Sequence, residues 1–216
     1  MTSYPNSPTI LKGALISLPQ GLPIPRLVML QYNPEQLTRK LEPNFEKTGD
    51  TPTGTNLLAG PATEKISMTA RISAVDQLQA NDATAVAFGI HPQLATLEMM
   101  LFPSPAAVLE DLAQMALGVL EIVPSASPLT ILVWGPMRVQ PVQLTGYDVT
   151  EVMHDTILNP IDAEVTLDMK VLTYQDFAPD QAGYYLYLAN LAQRELMSMM
   201  GTVQSGASII ASAMSL

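Results

Sequence analysis

Cysteine is absent, histidine occurs twice, and only 14% of the residues are charged. Without cysteine there is no disulfide framework, no thiolate metal site and no thiol nucleophile, and nothing reports the redox compartment. His91 and His154 lie far apart in the sequence, which leaves metal and acid–base chemistry short of ingredients. The sequence contains no G-x-S-x-G elbow. The segment Gly49–Gly54 is not followed by the Lys-Ser/Thr of a phosphate-binding loop. No apolar run reaches the roughly 18 residues of a membrane span, and the first residues lack the basic and apolar regions of a secretion signal. The reading is therefore of a chain made and kept in the cytoplasm, with no transmembrane segment and no cofactor.

Apolar surface, by contrast, is plentiful. Hydrophobic residues make up 48% of the 216, and mean hydropathy is +0.21. That composition excludes disorder. Soluble chains usually carry about 25% charged residues, so much of this exterior is expected to be covered by other subunits. The formal charge is −10, and residues 109–216 alone carry −9. Such a balance disfavours an electrostatic grip on nucleic acid or anionic lipid.

Alternation is clearest between Ile161 and Val171, where six apolar positions face one way and Asp162, Glu164, Thr166, Asp168 and Lys170 the other. The turn signal Asn159–Pro160 precedes it, and a β-rich run from Val142 to Ile157 precedes that. A long antiparallel hairpin follows. Lys65–Ser73 alternates in the same way, and shorter strands are predicted at Ile10–Leu18, Leu27–Tyr32, Leu37–Phe45 and Leu129–Trp134. The Gly/Pro/Thr-rich stretch Thr48–Thr63 reads as a long loop ordered by a partner.

Helices are predicted over about 91–118, in two pieces that each carry a proline near the first turn, with Ser104 as N-cap and Gly118 as terminator. A third opens after Pro179. There Ala182, Tyr185, Ala189, Ala192, Leu196, Met199 and Val203 recur at spacings of three and four, and Asp180, Gln181, Asn190, Gln193, Arg194 and Glu195 are expected to stay wet. Beyond Gly201 the sequence turns to Gly, Ala and Ser, a tail expected to fray unless docked.

Acid–base chemistry could draw on Asp148, Glu151 and Asp155, or on Asp162, Glu164 and Asp168. The second set has the spacing of a solvated sheet face. His154 and Asp155 are neighbours on a strand and point to opposite sides.

Leu27–Phe45, an apolar strand running into Tyr32-Asn33-Pro34 and then a second strand, resembles the opening of the tube-like proteins of contractile injection systems. Pro128–Leu172 resembles that family's second half: a strand ending in Trp134-Gly135, a strand with Gly146, and a hairpin closed at Asn159-Pro160 by a long alternating strand. The resemblance spans about residues 10–174. It implies an α+β, mostly β, tail-tube-like antiparallel barrel or sandwich over 1–175, followed by a helical extension over 176–216. It also implies a non-enzymatic role as a homo-hexameric baseplate adaptor between a tube or tube-initiator ring and the spike or hub protein, within a phage-tail-like particle. Many members of the branch carry a LysM module after the barrel; here helix stands in its place. The helical stripe is accordingly expected to dock baseplate wedge proteins. Two other readings stand beside it: an inner-tube or tube-initiator subunit, and a small carboxylate-dependent enzyme on a β-barrel.

Overall fold

A computed structural model describes residues 11–18, 25–45, 58–118 and 128–214; Asp111 and residues 203–214 are described in backbone only. Among the described residues there are seven strands: β1 (Ala14–Leu18), β2 (Arg26–Met29), β3 (Leu37–Glu42), β4 (Thr63–Ser73), β5 (Leu129–Val133), β6 (Val139–His154) and β7 (Pro160–Val171). They form one antiparallel sheet in the order β2-β1-β5-β6-β7-β4-β3. The α+β, mostly β class holds, and each of the seven predicted strands is present.

The helices are α1 (Val75–Gln79), α2 (Ala83–Phe88), α3 (His91–Glu98), α4 (Pro105–Ala116) and α5 (Ala182–Met214). The periodicity did not find α1 and α2, at five and six residues too short to show a 3.6-residue period. Punctuation marks the second: the Asp82 carboxylate caps Thr84 N and Ala85 N, and Gly89 ends it at φ 58°. Ser104 caps α4 through Ala107 N, as predicted. In α5 the backbone helix continues through Gly201 and Gly206 to Met214, although a glycine in a helix interior costs about 1 kcal/mol relative to alanine. Most of the predicted Thr48–Thr63 loop, residues 48–57, lies outside the described residues.

The core sits where β4, β7 and β6 stack their apolar face. Ile66, Met68, Ala70 and Ile72 lie beside Ala163, Val165, Leu167 and Met169, all buried. Fully burying each of the larger side chains among them, the isoleucines, methionines, valine and leucine, contributes roughly 1.5–3 kcal/mol. Ile90, Leu94, Leu97 and Met100 complete that core from α3, and the Arg26 guanidinium of β2 donates to Met99 O at the helix's C-terminal end, at 2.7 Å.

Bulges set the register of β6. One falls between Leu144 and Gly146 and returns Tyr147 and Val149 to the core side. Another lies between Glu151 and Met153. β5 pairs with β6 only over Val139–Val142, so the same edge of β6 from Gln143 to His154 has no strand beside it among the described residues.

Candidate functional site

The eight residues that carry the family resemblance are distributed over three places. Asn33 Oδ1 accepts from Gly13 N at 2.9 Å and its Nδ2 donates to Leu11 O at 2.8 Å, which ties the chain ahead of β1 to the β2–β3 connection. Trp134 closes on the same Gly13, where an added Cβ would stand 2.8 Å from the indole ring. Gly135, at φ 72°, turns β5 into β6, with Trp134 N donating to Arg138 O at 2.7 Å. On the same β2–β3 connection, Tyr32, Asn33 and Pro34 border an open groove of about 810 Å³ beside Arg71 and Val75. Asn33→Ala is expected to cost about 1.5 kcal/mol by orphaning the buried Gly13 N, water taking over the exposed Leu11 O, read as a lower urea midpoint at unchanged m-value.

The second place is the β6–β7 hairpin. Asp155 Oδ1 accepts from Ile157 N and Asn159 N, Asn159 Nδ2 donates to Asp155 Oδ2 and to Ala87 O, and Pro160 O accepts from Ile90 N. Asn159 and Pro160 thus close the turn and fasten it to α2 and α3. Burial pushes the Asp155 carboxyl up, yet the Asn159 and Ile157 donors outweigh that and hold it below the usual aspartate value. Gly146 is the third place: a Cβ there would meet Asp168 Oδ2 at 2.9 Å.

The six acids are spread over β6 (Asp148, Glu151), the hairpin turn (Asp155) and β7 (Asp162, Glu164, Asp168). Asp162 departs from the solvated-face reading: it is 1% exposed, and Arg71 Nε donates to both carboxylate oxygens at 3.0 and 3.1 Å while Arg71 Nη2 also contacts Oδ2. The Arg71 hydrogen bonds hold its carboxyl below the ordinary value. Glu151 Oε2 meets His154 Nε2 at 2.9 Å, a pairing that the bulge at Val152 permits on one side of an exposed strand. His91 opens α3, as expected. Among the described residues no group of three or more His, Asp and Glu side chains is placed to hold a metal, and no helix is long and apolar enough to cross a membrane.

The C-terminal helix corrects one expectation. Asn190 is 6% exposed, with its Oδ1 accepting from buried Gln140 Nε2 at 3.0 Å, and Arg194 Nη2 donates to Glu64 Oε2 at 2.6 Å. The face expected to be wet is therefore, at Asn190, Gln193 and Arg194, the one that packs on β6 and the end of β4. A stripe that is only apolar cannot dock where the body offers buried amides and a carboxylate, because those groups need partners. Tyr185, Leu196 and Met199 are 62%, 56% and 55% exposed, and Ala182, Ala189 and Ala192 are exposed as well. Val203 belongs to the helix, and its side chain lies outside the described residues.

α4 is bare too. Val108, Leu109, Leu112 and Met115 are all exposed, and Leu117 beyond them is 82% exposed.

Sequence reasoning missed Glu64. Its carboxylate, 4% exposed, is gripped by Arg39 at 2.7 Å and by Arg194 at 2.6 Å. Burial pushes it up, but the hydrogen bonds from Arg39 and Arg194 together outweigh burial and hold it below the ordinary glutamate value. The signal was available: Glu64 has the parity of Ile66, Met68, Ala70 and Ile72, so extending the alternation by one residue puts a carboxylate on the apolar face.

No protein-family model matches this sequence, and no curated protein matches it. Among solved structures the chain is similar to a chain in the six-fold symmetrised cryo-EM structure of the anti-feeding prophage (AFP) baseplate, at 12% identity over 77% of this chain and 93% of that one, with a TM-score of 0.28.

Proposed function

We propose that this chain is a structural, non-enzymatic adaptor subunit of a phage-tail-like contractile injection system, assembled in the cytoplasm as a homo-hexameric ring. In this reading the ring joins the tube or tube-initiator ring to the spike or hub protein, and α5 contacts baseplate wedge proteins. The observation that carries it is the outward apolar stripe of α5, left bare because the opposite face is satisfied by buried polar contacts. Exposed apolar area of that extent marks an interaction surface. The bare α4 and the unpaired edge of β6 add two further surfaces of the kind a ring subunit shares with its neighbours. The order of Tyr32-Asn33-Pro34, Trp134-Gly135, Gly146 and Asn159-Pro160 supplies the family context. A long helical appendage favours the adaptor over a stacking tube subunit.

The first test is the native mass of the chain, alone and co-expressed with the proteins encoded beside it. A closed oligomer that captures those proteins is the expected result; a monodisperse monomer at high concentration that binds none of them refutes the reading. Truncation after Glu195 separates ring from docking. Asn190 and Arg194 remain, so the body is expected to stay folded and to form rings while losing the wedge proteins. Removal of everything after Phe177 is a harsher change, since it strips Arg194 from Glu64 and Asn190 from Gln140.

A further inference from the structure

Three of the five arginines gather at one spot in an otherwise acidic chain. Arg39 and Arg194 grip Glu64, and one carboxylate balances only one of them. Arg138 joins them from the β5–β6 turn. Its position is fixed by contacts on either side: Met137 Sδ accepts from Gln193 Nε2 at 2.9 Å, and Gln140 Nε2 donates to Asn190 Oδ1 at 3.0 Å. Arg138 thus belongs to the short segment held against α5 between these two contacts, and its guanidinium forms no ion pair with a carboxylate among the described residues. Burial lowers its proton affinity, and repulsion from Arg39 and Arg194 adds to this against the single attraction of Glu64.

The local balance is three guanidiniums to one carboxylate, a surplus of two positive charges in a partly desolvated place. Both Arg39 and Arg194 keep about a third of their side chains open to solvent, at 30% and 35%, so the surplus can be reached from outside. Beside Arg194 lies a cleft of about 420 Å³ with Leu41, Leu58, Val171, Tyr187 and Leu191 on its apolar side and the paired Arg194 and Glu64 on its polar side; Arg39 and Arg138 stand outside it. Charge complementarity asks for an anion, and the apolar walls ask for side chains next to it. A free anion meets only the first demand.

We infer that Arg138, with Arg39 and Arg194, receives a carboxylate side chain of an acidic segment from a partner protein, and that apolar residues flanking that carboxylate occupy the cleft under α5. Guanidinium–carboxylate contacts of this kind are short, paired and about twice as strong as neutral hydrogen bonds. The seat does not depend on a ring or on an injection system, so it stands or falls separately from that reading.

The test uses the full chain in whichever oligomeric form it purifies, and three probes: a fluorescein-labelled peptide alternating Leu and Glu, its Leu/Gln twin, and inorganic phosphate as competitor. The Glu peptide is expected to bind, the Gln twin to bind at least about tenfold more weakly, and Arg138→Gln to weaken the Glu peptide by about tenfold with the circular dichroism and melting curve unchanged. Arg138→Lys should recover part of the loss, because the charge returns without the fork. As a control, Arg71→Gln, which breaks a different ion pair, should leave binding alone. Equal affinity for the two peptides, or insensitivity to Arg138→Gln, overturns the inference. Displacement of the peptide by phosphate at concentrations comparable to that of the peptide overturns the protein-segment part, since it would mark a site for small anions. Should Arg138→Gln melt early, the same comparison of peptides on the unaltered chain decides the matter.

Discussion

Gly89→Ala is expected to destabilise the protein by more than about 3 kcal/mol. An added Cβ would stand 2.2 Å from Pro160 O, a backbone atom that cannot swing away as a side chain would. The residue also sits at φ 58° and ψ −131°, a region that L side chains rarely enter and that costs on the order of 1–3 kcal/mol. Relief would require moving the β6–β7 hairpin off α3, which breaks the 2.9 Å bond from Ile90 N to Pro160 O and loosens Asn159 from Ala87 O. For a chain of this size the melting temperature should fall by roughly 6–12 °C. Gly201→Ala is the matched control. Nothing lies within 4 Å of its added Cβ, and helix propensity should make that variant slightly more stable. A Gly89→Ala protein that melts with the wild type would mean that the hairpin is not seated on Gly89 as described.

Glu64→Gln should cost roughly 3 kcal/mol at neutral pH, because removing one member of a buried ion pair leaves the other charge uncompensated. Here two guanidiniums lose their counter-ion, and the figure sits at the low end of the usual range because both are partly open to solvent. The pH dependence follows from the direction of the shift. Folding holds the Glu64 carboxyl below its ordinary value of 4.5, so the unfolded chain takes up the proton first as acid is added. The stabilisation is fully present above that ordinary value and is lost as pH falls through the lower, folded one. Denaturant melts of wild type and Glu64→Gln should therefore differ most near neutrality and converge in acid. Curves that stay parallel down to the lowest pH at which the protein folds would show that the carboxylate is not the source of the difference.

Strands were easy to read here because their chemistry is local. Alternation placed β4 and β7 within a few residues of their observed ends, and Asn159-Pro160 marked the turn before β7. The short helices α1 and α2 were hidden because five or six residues cannot display a face, although Asp82 and Gly89 bracket the second with a cap and a stop. Reading α5 failed in a more instructive way. Its apolar stripe was visible, and so were its polar positions, but which face meets the sheet depends on what the sheet presents. Glu64 and Gln140 sit on distant strands, and only the folded register brings them to Arg194 and Asn190. A buried polar group selects its partner from another part of the chain, and a linear pattern carries no trace of that choice. The motif residues show the same limit: Asn33 and Trp134 were recognised separately, while their common target, Gly13, bears no mark in the sequence.

The strand order has a consequence for how the chain reaches this state. β1 and β2 form a local hairpin, β3 and β4 form another, and β5, β6 and β7 form a meander. Each of these units can close early. The two ladders that unite them are remote in sequence: Ala14 pairs with Val133, and Ser73 with Asp162. During synthesis the first two hairpins emerge long before the strands that flank them, and they must wait with open edges. Closing contacts of such separation is slow, typically about milliseconds to seconds for sheet proteins. Through that interval the nascent chain carries unsealed β-edges as well as the bare α4, the conditions under which intermediates stick to one another. Yield in the cell should then be limited by kinetics more than by final stability, and slowing synthesis or lowering temperature should recover more native protein than any substitution in the core.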